Sequence, residues 1–152
     1  AIASVDNAIS LIFLTTVSSI SYGPKDNALS DEGFYQGVAT DLQPLALQQG
    51  KPYVIELNAT WCGFCKLFER ETLKDAEVRK YINQNFLMAT MDGEEGLGLT
   101  LYNQYKLKGF PTLLFFAPNG KLLKKMVGYQ DAEYFLFNLQ KYRQKFEKKY
   151  QK

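Results

Sequence analysis

The two cysteines of this chain lie three positions apart, shortly after a short apolar run, and this placement constrains the fold more than any other feature. Residues 53–57, Tyr-Val-Ile-Glu-Leu, have the length and apolar character of a buried strand. Helical periodicity begins at Cys62 and Cys65. Two thiols at this spacing can close a disulfide when the first stands at a helix start. The sequence therefore predicts a strand, a turn and a helix whose first turn carries a dithiol.

Strands and helices alternate along the rest of the chain. Helices are predicted at residues 41–49 with Thr40 as N-cap, from the cysteines to about residue 85 with a break near residues 72–75, at 96–105, and from Asp131 through Phe146. Strands are predicted at residues 34–38, 53–57, 86–91, 112–116 and 121–127, with a hairpin turn at 117–120. The order β-α-β-α-β-α-β-β-α predicts an α/β fold, a mixed central β-sheet flanked by helices on both faces.

Residues 1–30 are predicted to be an N-terminal extension, and residues 31–152 the main domain. Residues 1–24 carry one charge, Asp6, and their apolar residues recur at helical spacing. The apolar and hydroxylated run at residues 8–20 is too short and too hydroxylated for a transmembrane helix, which needs ~20 apolar residues. It also lacks the basic start of a complete signal peptide. We expect a helix or strand packed on the main domain, or else the remnant of an export sequence or anchor.

Composition excludes several classes of site. The chain contains no histidine, so a Ser-His-Asp or Cys-His nucleophile and a histidine metal site are excluded. Its net charge of +2 gives no general case for nucleic-acid binding. Residues 141–152 hold six basic residues against Glu147, a local charge of +5. We expect a solvated helix end favoured by the helix dipole, and contact with anionic lipid or nucleic acid is the alternative.

The two cysteines are expected to have different roles, because they stand at different positions in the helix. Cys62 at a helix start meets unpaired backbone N–H groups that favour a thiolate, and we expect it to be the partly exposed nucleophile. Cys65, one turn further, is expected to be shielded and to resolve a mixed disulfide. Gly63 leaves space between them, and Trp61 is expected to shield one side. The alternatives are a stabilising disulfide, inert core thiols, or a Cu(I) or zinc site built on two thiolates.

Two segments carry a resemblance to a known family. Glu-Leu-Asn-Ala-Thr-Trp-Cys-Gly-Phe-Cys-Lys at 56–66 and Gly-Phe-Pro-Thr at 109–112 resemble the thioredoxin superfamily, and the similarity extends over residues 33–145. Residues 65–78 and 128–135 are most similar to the C-terminal domains of the DsbD family of thiol reductant transporters. The resemblance implies a thioredoxin fold and a thiol:disulfide oxidoreductase that reduces disulfides in partner proteins. It implies no metal and no cofactor beyond the redox-active disulfide.

The resemblance also implies roles for individual residues. Pro111 matches the family's cis proline, and the backbone of Phe110 is expected to pair with an extended substrate segment. Glu56 matches the buried acid beneath the second cysteine. Independently, a lone glutamate within an apolar strand is expected to be buried with a raised pKa, suited to accept the proton of the resolving thiol. The alternative for Glu56 is an exposed strand face. Glu69 matches a second acid near the cysteines, with a surface charge as the alternative.

Phe64 departs from thioredoxin itself, which has proline at this position. An exposed aromatic side chain there is expected to contact a partner, so Trp61, Gly63, Phe64, Phe110 and Pro111 form the predicted docking surface. The missing imidazolium and the two carboxylates favour a reductase over an oxidase or isomerase. A CxxC metallochaperone is the alternative from another class.

The partners implied are protein thiols and disulfides, with a membrane thiol reductant transporter as a candidate and no nucleic acid. A monomer is expected. The resemblance and the apolar start favour an extracytoplasmic location, in the bacterial periplasm, either soluble or tethered at the N-terminus.

Overall fold

The computed structural model describes residues 41–151. The predicted extension at 1–30, the predicted strand at 34–38 and the predicted N-cap Thr40 lie outside the described residues. The helices of residues 41–151 are α1 (Leu42–Gln49), α2 (Gly63–Leu67), α3 (Ala76–Asn85), α4 (Gly96–Gln104) and α5 (Ala132–Tyr150). A π-helical turn, Phe68–Leu73, follows α2 directly. The strands are β1 (Tyr53–Asn58), β2 (Leu87–Asp92), β3 (Thr112–Phe116) and β4 (Leu122–Val127).

The four strands form one mixed sheet in the order β2-β1-β3-β4. β1 runs parallel to β2 and antiparallel to β3, and β3 runs antiparallel to β4. In this register Glu56 stands between Thr90 of β2 and Leu113 of β3. The carboxyl ends of β1 and β2 therefore share one edge of the sheet with the start of β3, and the cysteines follow β1 at that edge.

Helices cover both faces of the sheet, and an apolar core lies between the sheet and the helices on each face. Successive side chains of β1 point into one core and then the other. Ile55 belongs to the core that α1 and α4 close, whereas Val54 belongs to the core under the π-helical turn, α3 and α5. Glu56 lies two positions after Val54, so its side chain points to the same face of the sheet as that of Val54. The predicted α/β class, the thioredoxin fold with a mixed sheet between helices, is confirmed.

Local signals explain where the helices begin and end. Asp75 caps α3 by accepting hydrogen bonds from Glu77 N and Val78 N at 3.0 Å, and Asp131 caps α5 by accepting from Tyr134 N at 2.8 Å. α1 ends at Gly50, whose φ of 62° is left-handed.

The π-helical turn is absent from the sequence prediction, which has ordinary helix up to its break near residues 72–75. The interruption itself falls at Lys74 and Asp75. Two tertiary contacts accompany the wider turn. Thr72 Oγ1 donates to the carbonyl of Gln130 at 2.5 Å, and the ring of Phe68 lies 5.2 Å from that of Phe135. Helical periodicity alone carries no information about these contacts.

Candidate redox site

The cysteines close a disulfide at the start of α2. Cys62 is the N-cap residue, with extended backbone, and its Sγ accepts a hydrogen bond from Cys65 N at 3.1 Å. The Cα atoms of the two residues lie 5.3 Å apart. The helix start thus directs an N–H group at the sulfur of Cys62, an arrangement that stabilises negative charge on that atom once the disulfide is reduced.

Both cysteines are buried, with exposed fractions of 4% for Cys62 and 5% for Cys65. The expectation that Cys62 is partly exposed is therefore wrong for the disulfide form. Ala59 and the two cysteines form a small apolar cluster, and the half-buried ring of Phe110 packs against it. Because Phe110 comes from a segment far along the chain, the local sequence around Cys62 could not show this cover.

Aromatic side chains surround the disulfide. Trp61 is 68% exposed and Phe64 is 64% exposed. The indole of Trp61 meets the ring of Phe110 edge-on, with centroids 6.0 Å apart, and Phe110 lies 4.9 Å from Tyr102. A Cβ at Gly93 would come within 2.8 Å of the Phe110 ring. Phe110 is therefore held from three sides while Trp61 and Phe64 face solvent.

Glu94 belongs to this site, although the sequence analysis missed it. Its Oε2 accepts a hydrogen bond from Trp61 Nε1 at 3.0 Å, and its backbone N–H donates to Asp92 Oδ1 at 2.8 Å. Glu94 follows β2, the parallel neighbour of β1. The signal that could have revealed it is this adjacency, since carboxyl ends of parallel strands meet at one edge of a sheet.

The strand β3 opens beside the disulfide. The Phe110–Pro111 peptide bond is cis. Pro111 is buried, and its carbonyl accepts from Gly128 N at 2.8 Å. Thr112 Oγ1 donates to the carbonyl of Gly109 at 2.6 Å. Among residues 41–151, the backbone N–H and C=O of Phe110 form no hydrogen bond.

Glu56 is buried, with 2% of its surface exposed. Its Oε1 has no hydrogen-bond partner among the described residues. Burial, and secondarily the charge of Glu69, raises the pKa of Glu56 to about 7. The alternative of an exposed strand face does not apply. Glu69 lies in the π-helical turn with an exposed side chain, yet close enough to influence the Glu56 carboxyl.

The described residues bring most of the predicted site residues to one end of the sheet. Gly63 begins α2, and a Cβ there would meet no atom within 4 Å. Between residues 41 and 151, no group of three or more histidine, cysteine or carboxylate side chains is placed to hold a metal ion. None of the helices in that part of the chain is long and apolar enough to cross a bilayer.

A mixed sheet whose central strand leads into a helix-capping CxxC disulfide, beside an X-Pro bond that is cis, defines the thioredoxin class of fold. The structure is similar to a thioredoxin from Thermus thermophilus, with a TM-score of 0.63 at 20% identity over 68% of this chain and 82% of that one. It is also similar to the reduced C-terminal domain of Neisseria meningitidis DsbD, with a TM-score of 0.56 at 20% identity over 67% and 90%.

Sequence comparisons specify the family. The sequence model of the thioredoxin-like domain family matches residues 43–143 of this chain, and the chain belongs to that family. The thiol:disulfide interchange protein DsbD of Yersinia pestis is 36% identical over 99 residues, which are 63% of this chain and 17% of that relative. The chain is homologous to DsbD, but it spans less than a fifth of the length of the curated relatives that it matches.

Proposed function

We propose that this chain is a thiol:disulfide oxidoreductase that reduces disulfides in partner proteins. The observation that carries the proposal is the Cys62–Cys65 disulfide at a helix start, with Cys62 Sγ accepting an N–H bond. The homologous DsbD proteins bear the name of thiol:disulfide interchange proteins, which supports the same chemistry. On this proposal residues 31–152 form the redox domain and residues 1–30 an extension.

The reaction begins with the reduced pair. The thiolate of Cys62 attacks one sulfur of a partner disulfide, so that a mixed disulfide forms and the other partner sulfur leaves as a thiolate, which takes a proton. Cys65 then passes its proton to the carboxylate of Glu56 and attacks Cys62 Sγ. This step closes the Cys62–Cys65 disulfide and releases the second partner thiol. Two electrons pass to the partner, and a dithiol donor must restore the pair.

Glu56 suits the proton-accepting role because its pKa, raised to about 7, lets it both take and release a proton near neutral pH. Glu69 supports the role by adding negative charge near Glu56. Two carboxylates and the absence of histidine from the chain disfavour a very stable thiolate, which favours reductase over oxidase activity.

The residues around the disulfide form the proposed docking surface: Trp61, Gly63, Phe64, Phe110 and Pro111. Trp61 and Phe64, which directly precede Cys62 and Cys65 in the sequence, both present exposed rings. The backbone of Phe110, which is unpaired within residues 41–151, is available to pair with an extended partner segment next to Pro111. Gly63 leaves room for that segment above the helix start.

The test combines activity, direction and trapping. We expect the reduced protein to reduce insulin disulfides, and a Cys62→Ser variant to lose that activity. Equilibration with glutathione gives the direction, because a potential well above those of thioredoxins would contradict the reductase proposal. A Cys65→Ala variant should accumulate mixed disulfides through Cys62, and their identification in the native cell names the partners.

For the location we propose an extracytoplasmic site, supported by the homology to DsbD. A membrane thiol reductant transporter is the proposed electron donor. Fractionation of the native cell checks the first statement. Recovery of a membrane protein among the Cys65→Ala mixed disulfides checks the second.

A further inference from the structure

One face of α5 carries aromatic and cationic side chains, and the acids beside it, Asp131 and Glu133, lie only at its N-terminal end, away from the lysines. Spacings of three and four residues place five exposed side chains on this face, which we call the lysine face: Tyr134, Phe137, Lys141, Lys145 and Lys148. Tyr134 is 57% exposed and Phe137 is 58% exposed. Glu147 points to a different side of the helix, where it pairs with Arg143 at 3.4 Å.

A shallow groove between α5 and β4 adjoins the lysine face at Lys145. Its volume is about 210 Å³, and its apolar lining comes from both elements: Leu123, Tyr142, Phe146 and Tyr150. Three cations line the same groove: Lys124, Lys145 and Lys149. Within residues 41–151, neither Lys124 nor Lys145 takes part in an ion pair. The groove therefore combines positive charge that no acid among the described residues neutralises with an apolar lining. A partner that fits it carries negative charge and apolar surface side by side.

We propose that the lysine face and its groove dock on the surface of an anionic lipid bilayer. Long lysine side chains can reach the headgroups while their stems cover apolar surface, and exposed aromatic rings favour the membrane interface. The two aromatic residues stand at the N-terminal end of the lysine face and the lysines at its C-terminal end. A nucleic acid strand would instead be matched by aromatic and basic residues interleaved along a groove.

The lysine end of the surface lies away from the redox site, whereas the aromatic end adjoins Phe135, whose ring packs against Phe68. Lys124 pairs with Phe115, which pairs with Val54 near the start of β1, whereas the cysteines follow the end of β1. The lysine-rich end of α5 therefore lies at the end of the sheet remote from the disulfide. A domain docked in this way presents Trp61 and Phe64 to other proteins. The proposal is independent of the reaction that the disulfide performs.

The test measures binding of the 152-residue chain to vesicles at low ionic strength. Vesicles that are one third phosphatidylglycerol should bind the protein, and binding should weaken as salt is added. The double variant Lys145→Gln/Lys148→Gln should bind about 25-fold more weakly, because each lysine near an anionic surface contributes a factor of about five. The matched control Lys74→Gln/Lys108→Gln removes two exposed lysines that lie outside α5 and its groove, and it should bind like the unchanged protein.

Three results would overturn the proposal. They are equal binding by the two double variants, equal binding to pure phosphatidylcholine vesicles, and tighter binding to a short duplex DNA than to the anionic vesicles. Phe137→Ser tests the aromatic part separately. Its binding to anionic vesicles should fall several-fold, and unchanged binding would contradict insertion of the ring into the interface.

Discussion

Replacement of Glu56 by glutamine should remove a pH dependence from the stability of the oxidised protein. The folded state raises the pKa of this carboxyl from 4.5 to about 7, mainly by burial. Between these two pH values the folded chain retains a proton that the unfolded chain has released, so the free energy of unfolding falls as the pH rises. Below about pH 4.5 the contribution is fully present, and above about pH 7 it is lost. The loss amounts to about 3 kcal/mol.

Glu56→Gln keeps the shape and remains neutral at every pH. Urea unfolding at about pH 4 and about pH 8.5 should therefore show similar stabilities for the two proteins at the lower pH. At the higher pH the variant should be more stable by about 3 kcal/mol. The exposed Glu77→Gln variant is the control, since other titrations common to all three proteins cancel in the comparison. A difference between Glu56→Gln and the unchanged protein that is the same at both pH values would refute the reasoning.

Four further substitutions test the packing around the site. Gly98→Ala should destabilise the protein by about 2 kcal/mol or more in urea unfolding, because its Cβ would overlap a backbone carbonyl, whereas Gly63→Ala has open space and should be neutral or slightly stabilising. Thr72→Val should cost about 1–2 kcal/mol in the same assay through its lost buried hydrogen bond, and an unchanged midpoint would contradict that role. Glu94→Ala should leave stability nearly unchanged but increase acrylamide quenching of Trp61, the one tryptophan of the chain. Equal quenching would show that this hydrogen bond does not hold the indole.

Much of the fold could be predicted because its signals are local. The apolar strand at 53–57, the capping residues Asp75 and Asp131, and the hairpin turn at 117–120 each act within a few residues. The burial of Glu56 was predictable for the same reason, since an acid inside an apolar strand has few alternatives. The cysteine pair and its place at a helix start were equally visible.

The remaining features depend on contacts between distant segments. The cover over Cys62 comes from Phe110, so local sequence suggested exposure where the structure has burial. The Trp61–Glu94 bond joins residues 33 positions apart and requires the parallel pairing of β1 with β2. The π-helical turn likewise accompanies the contact of Thr72 with Gln130 rather than a pattern within its own six residues.

The strand β4 has a consequence for the behaviour of many copies close together. It is one of the two outer strands of the sheet that residues 41–151 form, and it carries consecutive exposed lysines, Lys124 and Lys125. The register of its pairing with β3 shifts between Phe115 and Phe116. Charged side chains and an irregular edge both oppose the addition of a strand from another molecule, because the incoming chain would have to dehydrate the ammonium groups. Crowding of the protein on a surface is therefore not expected to lead to edge-to-edge sheet growth through β4.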